Sequence, residues 1–234
     1  MSAPPSMLLQ LPLFPLHTVL FPGGSLPLRI FEIRYLDMIG RCHKAGAPFG
    51  VVSLSAGSEV RRPGAGDDAS TPSGKGDAHE RFFPVGTLAR ITRLDRPQAA
   101  LMMIDCVGAQ RFRIRRSAQQ KYGLWVGDVE LLDDDAAVPV PDDLAFTREA
   151  LRTLVRNIEH SIEGSGEAGV EMPLRLPYRW DDCGWLANRW CEMLPLSAEL
   201  KHRLMATDSP VLRLELVADT LARLQIAMPR RRGE

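Results

Sequence analysis

A change from strand to helix is marked by the stretch Leu26-Pro27-Leu28-Arg29-Ile30-Phe31-Glu32-Ile33-Arg34-Tyr35. Before it, Leu8 to Leu28 consists of short extended runs interrupted by prolines, with a turn predicted at Pro22-Gly23-Gly24. After Glu32, apolar residues recur at helical spacing: Tyr35, Met38, Ile39 and Cys42. Gly46 is a typical residue to end this helix.

The next part of the chain is predicted to be rich in strands. Strands are expected at 49–54, 85–94, 99–107, 111–116 and 122–132. The apolar phase of the last strand shifts at Gly127-Asp128, which predicts a β-bulge there. Residues 55–80 are rich in Gly, Ser, Ala, Pro and Asp, and we expect them to form a long mobile loop inserted between paired strands.

The remainder is predicted to be helical. Asp133-Asp134-Asp135, read as a solvated linker, separates it from the strands. Capping signals precede each of four apolar periodic segments: Asp142 or Asp143, Asp181 or Asp182, Ser197, and Ser209 followed by Pro210. The pattern thus predicts an α+β fold with two parts, 8–135 rich in strands and 142–228 helical.

Besides the strand-to-helix stretch, four motifs stand out: Leu11-Pro12-Leu13-Phe14-Pro15-Leu16, Val85 to Ile91, Gly108 to Ile114, and Leu186-Ala187-Asn188-Arg189-Trp190. Together and in this order, they resemble the amino-terminal, substrate-binding domain of Lon proteases. The resemblance extends from about Leu9 to about Leu224. It implies a β-rich pseudo-barrel of the PUA-like type in the first half and a helical bundle in the second.

The same resemblance implies a function. In Lon enzymes this domain is thought to help capture unfolded or tagged chains, so we expect a module that binds unfolded or exposed polypeptide segments, with a link to protein quality control. The chain has no glycine-rich nucleotide loop and no sequence like the Lon peptidase motif, so we expect no enzymatic activity. A hydrolase would require a cluster of perturbed groups in a pocket, and the sequence suggests none.

Composition excludes several other classes. Apolar residues make up 45% and charged residues 25%, and the formal net charge is zero, so no overall basic field attracts nucleic acid or anionic lipid. No segment approaches the roughly 20 apolar residues of a membrane span, and the apolar start lacks a basic region before it. The four cysteines lack the spacing of zinc or redox sites. We expect a cytoplasmic protein with buried, reduced cysteines and with no metal or cofactor.

Four residues are candidates for contact with a polypeptide, in a groove that we expect between the two halves. Phe21 and Trp180 would supply apolar contact area, and Arg29 or Arg34 would supply polar contacts. An alternative for Trp180 is that it packs between the halves together with Tyr178, Trp185 and Trp190. Separately, Glu32, Arg34 and Arg111 are candidates for a semi-buried structural charge lock between the first helix and the sheet.

Nucleic acid is the alternative partner. Arg111, Arg113, Arg115 and Arg116 are close together on one predicted strand, and PUA-like folds include RNA binders. RNA binding through the Arg111–Arg116 strand is therefore the second hypothesis. Aromatic residues are only 6% of the chain, and Phe112 alternates onto the apolar face of the strand, so no stacking platform accompanies these arginines.

Overall fold

The computed structural model describes residues 6–56, 80–165 and 172–226. Most of the predicted 55–80 loop, residues 57–79, lies outside the described residues. The chain divides into two compact units, the first comprising Met1–Leu20 and Leu26–Leu132, the second Phe21–Ser25 and Asp133–Glu234. The structure contains a strand-rich sheet followed by helices, which confirms the predicted α+β class. The predicted boundaries 8–135 and 142–228, and the PUA-like type, remain predictions.

The described part of the first unit is a closed sheet with one α-helix. Its elements are β1 (Met7–Leu16), β2 (Ser25–Ile30), α1 (Ile33–Ala45), β3 (Phe49–Ala56), β4 (Arg81–Phe82), β5 (Val85–Gln98), β6 (Leu101–Gln119) and β7 (Trp125–Leu131). The strand order is β1-β7-β6-β5-β3-β4, with β2 paired to β6. Because β1 also pairs with β3 in parallel, five strands close into a ring.

A cluster of apolar side chains fills this ring. It takes at least one buried residue from each of the five strands: Leu11, Leu13, Val52, Leu88, Phe112 and Val129. Gly86 is needed beside it, since a Cβ there would lie 2.6 Å from the Phe112 ring and 2.5 Å from the Val51 carbonyl oxygen. A second cluster joins the apolar face of α1, including Tyr35, Met38 and Ile39, to the sheet.

Two strand predictions need correction. The segments 99–107 and 111–116 are one strand, β6, because the ladder crosses Gly108 with a register shift instead of ending there. The irregularity predicted at Gly127-Asp128 exists, but the extra residues lie in the neighbouring strands. Between Leu8 and Leu11, β1 has one residue more than β7, and β6 has one more between Ile114 and Arg116.

In its described residues, the second unit contains four helices: α2 (Ala145–Ser165), α3 (Cys183–Met193), α4 (Ala198–Met205) and α5 (Pro210–Arg223). The side chains of Asp182, Ser197 and Ser209 accept hydrogen bonds from backbone amides at the starts of α3, α4 and α5, as the sequence predicts. Asp142 begins a short 3₁₀ turn that leads into α2. No helix among the described residues is long and apolar enough to cross a bilayer.

Candidate functional site

Arg34, at the first turn of α1, is the centre of a buried polar network in the first unit. Its guanidinium group donates to Glu32 (3.0 Å), to Glu80 (3.5 Å) and to the carbonyl oxygen of Gly123 (2.7 Å). Its side chain is only 4% exposed. Glu80 also accepts a hydrogen bond of 2.7 Å from the Trp125 indole. This network connects the strand-to-helix corner to the turn before β7 and fixes their relative position.

Arg111 is the third residue of the predicted charge lock. It is buried and lies opposite Thr87 in the ladder between β5 and β6. The Glu32–Arg34 ion pair is present, while the participation of Arg111 in the same lock remains a prediction.

Exposed apolar side chains flank the Arg34 network. Phe31 is 54% exposed, Ile33 85% and Tyr122 76%. Arg29 is exposed on β2, and the ammonium group of Lys121 lies 5.3 Å from the centre of the Tyr122 ring. We call these five residues the corner surface. Exposed apolar groups held on a rigid base are typical of binding surfaces.

The four predicted contact residues differ in exposure, and they belong to different units. Arg29 belongs to the corner surface, whereas Arg34 beneath it is buried and already fully engaged. Phe21 is 0% exposed, so its ring offers no contact area to a partner in this structure. Trp180 belongs to the second unit, where it is half-buried.

Trp180 lies within an aromatic cluster. Its ring packs against Tyr178 at 5.0 Å and Trp185 at 5.3 Å between centroids, and the guanidinium carbon of Arg152 lies 5.3 Å from its centre. Tyr178 and Trp180 form one side of a cavity of about 360 Å³, of which α2 forms the other. Trp190 is instead buried, and its indole donates to the Thr147 carbonyl oxygen at 3.1 Å.

Two buried arginines in the second unit were missed at the sequence level. The first is Arg189 on α3, which donates to Glu192 (2.7 Å) and to the Pro22 carbonyl oxygen (2.9 Å). Burial raises the pKa of Glu192 to about 7, against the opposing effect of Arg189. The turn at Pro22 is also constrained: Gly23 has φ of 74°, and a Cβ on Gly24 would lie 2.1 Å from Glu192 Oε1.

The second is Arg213 on α5, which is 0% exposed. It binds both carboxylate oxygens of Asp135, at 2.5 and 3.0 Å, and also Asn188 Oδ1 at 3.0 Å and the Thr207 carbonyl oxygen. The prediction that Asp133-Asp134-Asp135 is only a solvated linker is therefore wrong for Asp135. Sequence patterns did not reveal the Arg189–Pro22 contact or the Arg213–Asp135 pair because each joins residues from distant parts of the chain.

The Arg111–Arg116 strand does not form a uniform basic face. Arg111 is buried, Arg113 is half-buried, and Arg115 is paired with Glu130. Arg116 is exposed and lines a cavity of about 250 Å³ that also includes Asp128. No observation here favours the RNA alternative over polypeptide binding.

The cysteine thiols and the possible metal ligands form no further candidate site in the described part of the chain. All four cysteines are free and buried, and burial raises the pKa of Cys106 and of Cys191 to about 12, so both remain neutral thiols. Within residues 6–56, 80–165 and 172–226, no group of three or more His, Cys, Asp or Glu side chains is arranged to hold a metal ion.

Comparison with known proteins adds to this picture. A family profile described as the ATP-dependent protease La (LON) substrate-binding domain matches residues 10–223. A crystal structure of a Lon N-terminal domain protein from Xanthomonas campestris is similar, with a TM-score of 0.63 and 27% identity over 95% of this chain and 100% of that one. The N-terminal domain of Mycobacterium avium complex Lon protease shares the fold, with a TM-score of 0.55, 17% identity, and coverage of 91% and 98%. No curated protein matches the chain.

Proposed function

The chain belongs to the Lon substrate-binding domain family, and we propose from this premise that it is a non-catalytic module that recognises unfolded polypeptide segments. In this proposal it acts in the cytoplasm, in protein quality control, and requires no cofactor. Its first unit carries the recognition surface on a PUA-like barrel.

The corner surface is the observation that carries the proposal. Three large apolar side chains are more than half exposed, two of them aromatic, and aromatic residues are common anchors in protein interfaces. They flank a buried network that already satisfies Arg34, so binding a partner there requires no rearrangement of the base. Low reorganisation favours affinity because less ordering entropy is lost.

The chemistry of this surface indicates its class of ligand. Folded proteins bury most large apolar side chains, whereas unfolded segments expose them. Apolar contact with Phe31, Ile33 and Tyr122 therefore favours unfolded chains over folded ones. The cationic groups of Arg29 and Lys121 favour segments in which acidic residues neighbour the apolar ones, and they would increase the association rate at low salt.

The predicted contact residues take different roles in this proposal. Arg29 contacts the polypeptide, and Arg34 is a positioning residue that holds the corner against the Gly123 turn. Phe21 supports the fold of its turn and does not contact the ligand. Arg111 and Glu32 act with Arg34 as the structural charge lock.

A binding comparison tests the proposal. An acidic, disulfide-bonded test protein is fluorescently labelled, and fluorescence anisotropy measures the affinity for its native form and for its reduced and alkylated form. Ile33→Ser is the test variant and Leu9→Ser the matched control, because Leu9 is also exposed (72%) in the same unit but lies on β1. We expect the intact protein to prefer the unfolded form.

The expected effect of Ile33→Ser follows from apolar area. Burying an isoleucine side chain is worth about 1.5–3 kcal/mol, so its loss should weaken binding by about tenfold or more. Leu9→Ser should leave the affinity unchanged. Equal affinity for native and unfolded test protein, or equal weakening by the two substitutions, would contradict the proposal.

A further inference from the structure

The cavity in the second unit has the size of a small-ligand site. Its volume of about 360 Å³ lies near the lower end of the range for ligand pockets. Val155, Arg156 and Glu159 line it from α2, and Tyr178 and Trp180 line it from the segment before α3. Such a volume suits a single small molecule or one side chain.

One wall of the cavity is apolar and well supported. The rings of Tyr178 and Trp180 meet edge to face at 65°, and Trp185, which is buried, packs behind both of them. This arrangement fixes the rings in place before any ligand arrives. An apolar group entering the cavity would therefore gain contact area at small entropic cost.

The charged side chains on the other side of the cavity differ in their ion pairs and hydrogen bonds. Arg152 is paired with Glu149 at 3.1 Å and lies over the Trp180 ring, so its charge is already balanced. Among the described residues, Arg156 donates hydrogen bonds only to the Arg152 carbonyl oxygen and the Thr153 hydroxyl, at 3.4 and 3.3 Å. Within the part of the chain that the structure describes, Arg156 has no carboxylate partner and Glu159 has neither an ion pair nor a hydrogen bond.

The cavity thus presents one available cation and one available anion beside an apolar wall. Arg156 and Glu159 are three residues apart on α2, a spacing that places their Cβ atoms about 5–6 Å apart on one helix face. Burial and the nearby Glu159 carboxylate raise the pKa of Tyr178, so its hydroxyl group stays protonated and can donate a hydrogen bond.

We propose that this cavity binds a free apolar α-amino acid as a zwitterion, with its carboxylate on Arg156, its ammonium on Glu159 and its side chain against Tyr178 and Trp180. An α-amino acid carries both charges on neighbouring atoms and an apolar group beside them, which is the combination that the cavity presents. An internal polypeptide segment lacks these two backbone charges. The inference is therefore independent of the function proposed for the corner surface.

The experiment uses the full chain and isothermal titration calorimetry with L-leucine and L-phenylalanine. Two blocked ligands test the two charges: N-acetyl-leucine lacks the ammonium group, and leucinamide lacks the carboxylate. Hydrogen bonds to charged groups contribute about 1.5–3 kcal/mol, so each blocked ligand should bind about tenfold more weakly or worse.

Protein variants provide the complementary test. Glu159→Gln should weaken L-leucine binding by about tenfold or more, and so should Arg156→Gln, while Glu163→Gln should not. Glu163 is a suitable control because it lies one turn further along α2 and is exposed. The thermal unfolding of each variant checks that it folds, and both substituted positions face solvent or the cavity.

Several results would overturn the inference. These are the absence of saturable binding by either amino acid, binding of uncharged N-acetyl-leucinamide as tight as that of leucine, or a loss of affinity with only one of the two blocked ligands. Equal effects of Glu159→Gln and Glu163→Gln would do the same. Failure here would leave polypeptide binding by the corner surface untouched.

Discussion

Replacing Asp135 with alanine removes the carboxylate that binds the buried guanidinium group of Arg213. The side chain of Arg213 is fully buried and that of Asp135 is 15% exposed. Two of the four hydrogen bonds that the structure gives Arg213 go to this carboxylate, and the other two go to neutral oxygens. The variant would therefore leave a buried charge without its counter-ion.

The size of the effect follows from this burial. Removing one partner of a buried ion pair costs about 3–5 kcal/mol, because the remaining charge is uncompensated. For a unit of roughly 100 residues, each kcal/mol lowers the Tm by about 4–8 °C, so a fall of at least ~12 °C is expected. The double variant Asp135→Leu/Arg213→Met should recover most of the loss, since it removes both charges.

The assay is urea unfolding followed by tryptophan fluorescence, since three of the four tryptophans lie in the second unit. Asp134→Ala is the matched control, because Asp134 is the preceding residue of the same acidic run and is exposed. Its effect should remain within about 0.5 kcal/mol. If Asp135→Ala destabilises the protein no more than Asp134→Ala does, the assignment of a buried ion pair is refuted.

Four further substitutions, one of them a control, test other parts of the structure. Gly24→Ala should destabilise the protein by about 1–3 kcal/mol in a urea titration, because its Cβ would collide with Glu192 Oε1. The control Gly164→Ala, at an open position on α2, should be neutral or stabilising by up to ~1 kcal/mol in the same titration. Burial raises the native pKa of Glu192 above its ordinary 4.5 to about 7. Between these values the native state binds more protons than the unfolded state, so the free energy of unfolding should fall as pH rises from about 4.5 to 7. Urea titrations across this range should show a weaker pH dependence in Glu192→Gln, and an unchanged dependence would assign it to another group. Arg34→Ala should cost about 3–5 kcal/mol in a thermal or urea titration, since Glu32 and Glu80 lose their shared cation; a loss below ~1 kcal/mol would contradict the network.

Local sequence patterns predicted most helices and strands, because the buried face and the ends of an element depend on residues that are close in sequence. The apolar positions Tyr35, Met38 and Ile39 specify the buried face of α1, and Gly46 ends it in the left-handed conformation with φ of 62°. Ser197 and Ser209 cap their helices for the same reason: capping depends only on residues within one turn. The order of the two parts also followed from these local patterns, and the resemblance to a known family added the expectation of a pseudo-barrel followed by a helical bundle.

Non-local features could not be read in the same way. The separation between Asp135 and Arg213 is 78 residues, and nothing in the local sequence distinguishes Asp135 from Asp134. Phe21 resembles an exposed loop residue because it precedes Pro22-Gly23-Gly24, yet it is buried. Of the corner surface, the sequence predicts only Arg29 as a contact residue, since exposure of Ile33 within an apolar stretch depends on how the chain packs.

Amide hydrogen exchange tests the recognition surface most directly. The full chain is compared with and without a saturating concentration of a reduced and alkylated test protein, and exchange is followed by mass spectrometry. We expect slower exchange in peptides that contain residues 29–36 and 120–124, and no such change with the native test protein. Binding of the unfolded chain without protection of these two segments, or with protection confined to other segments, would contradict it.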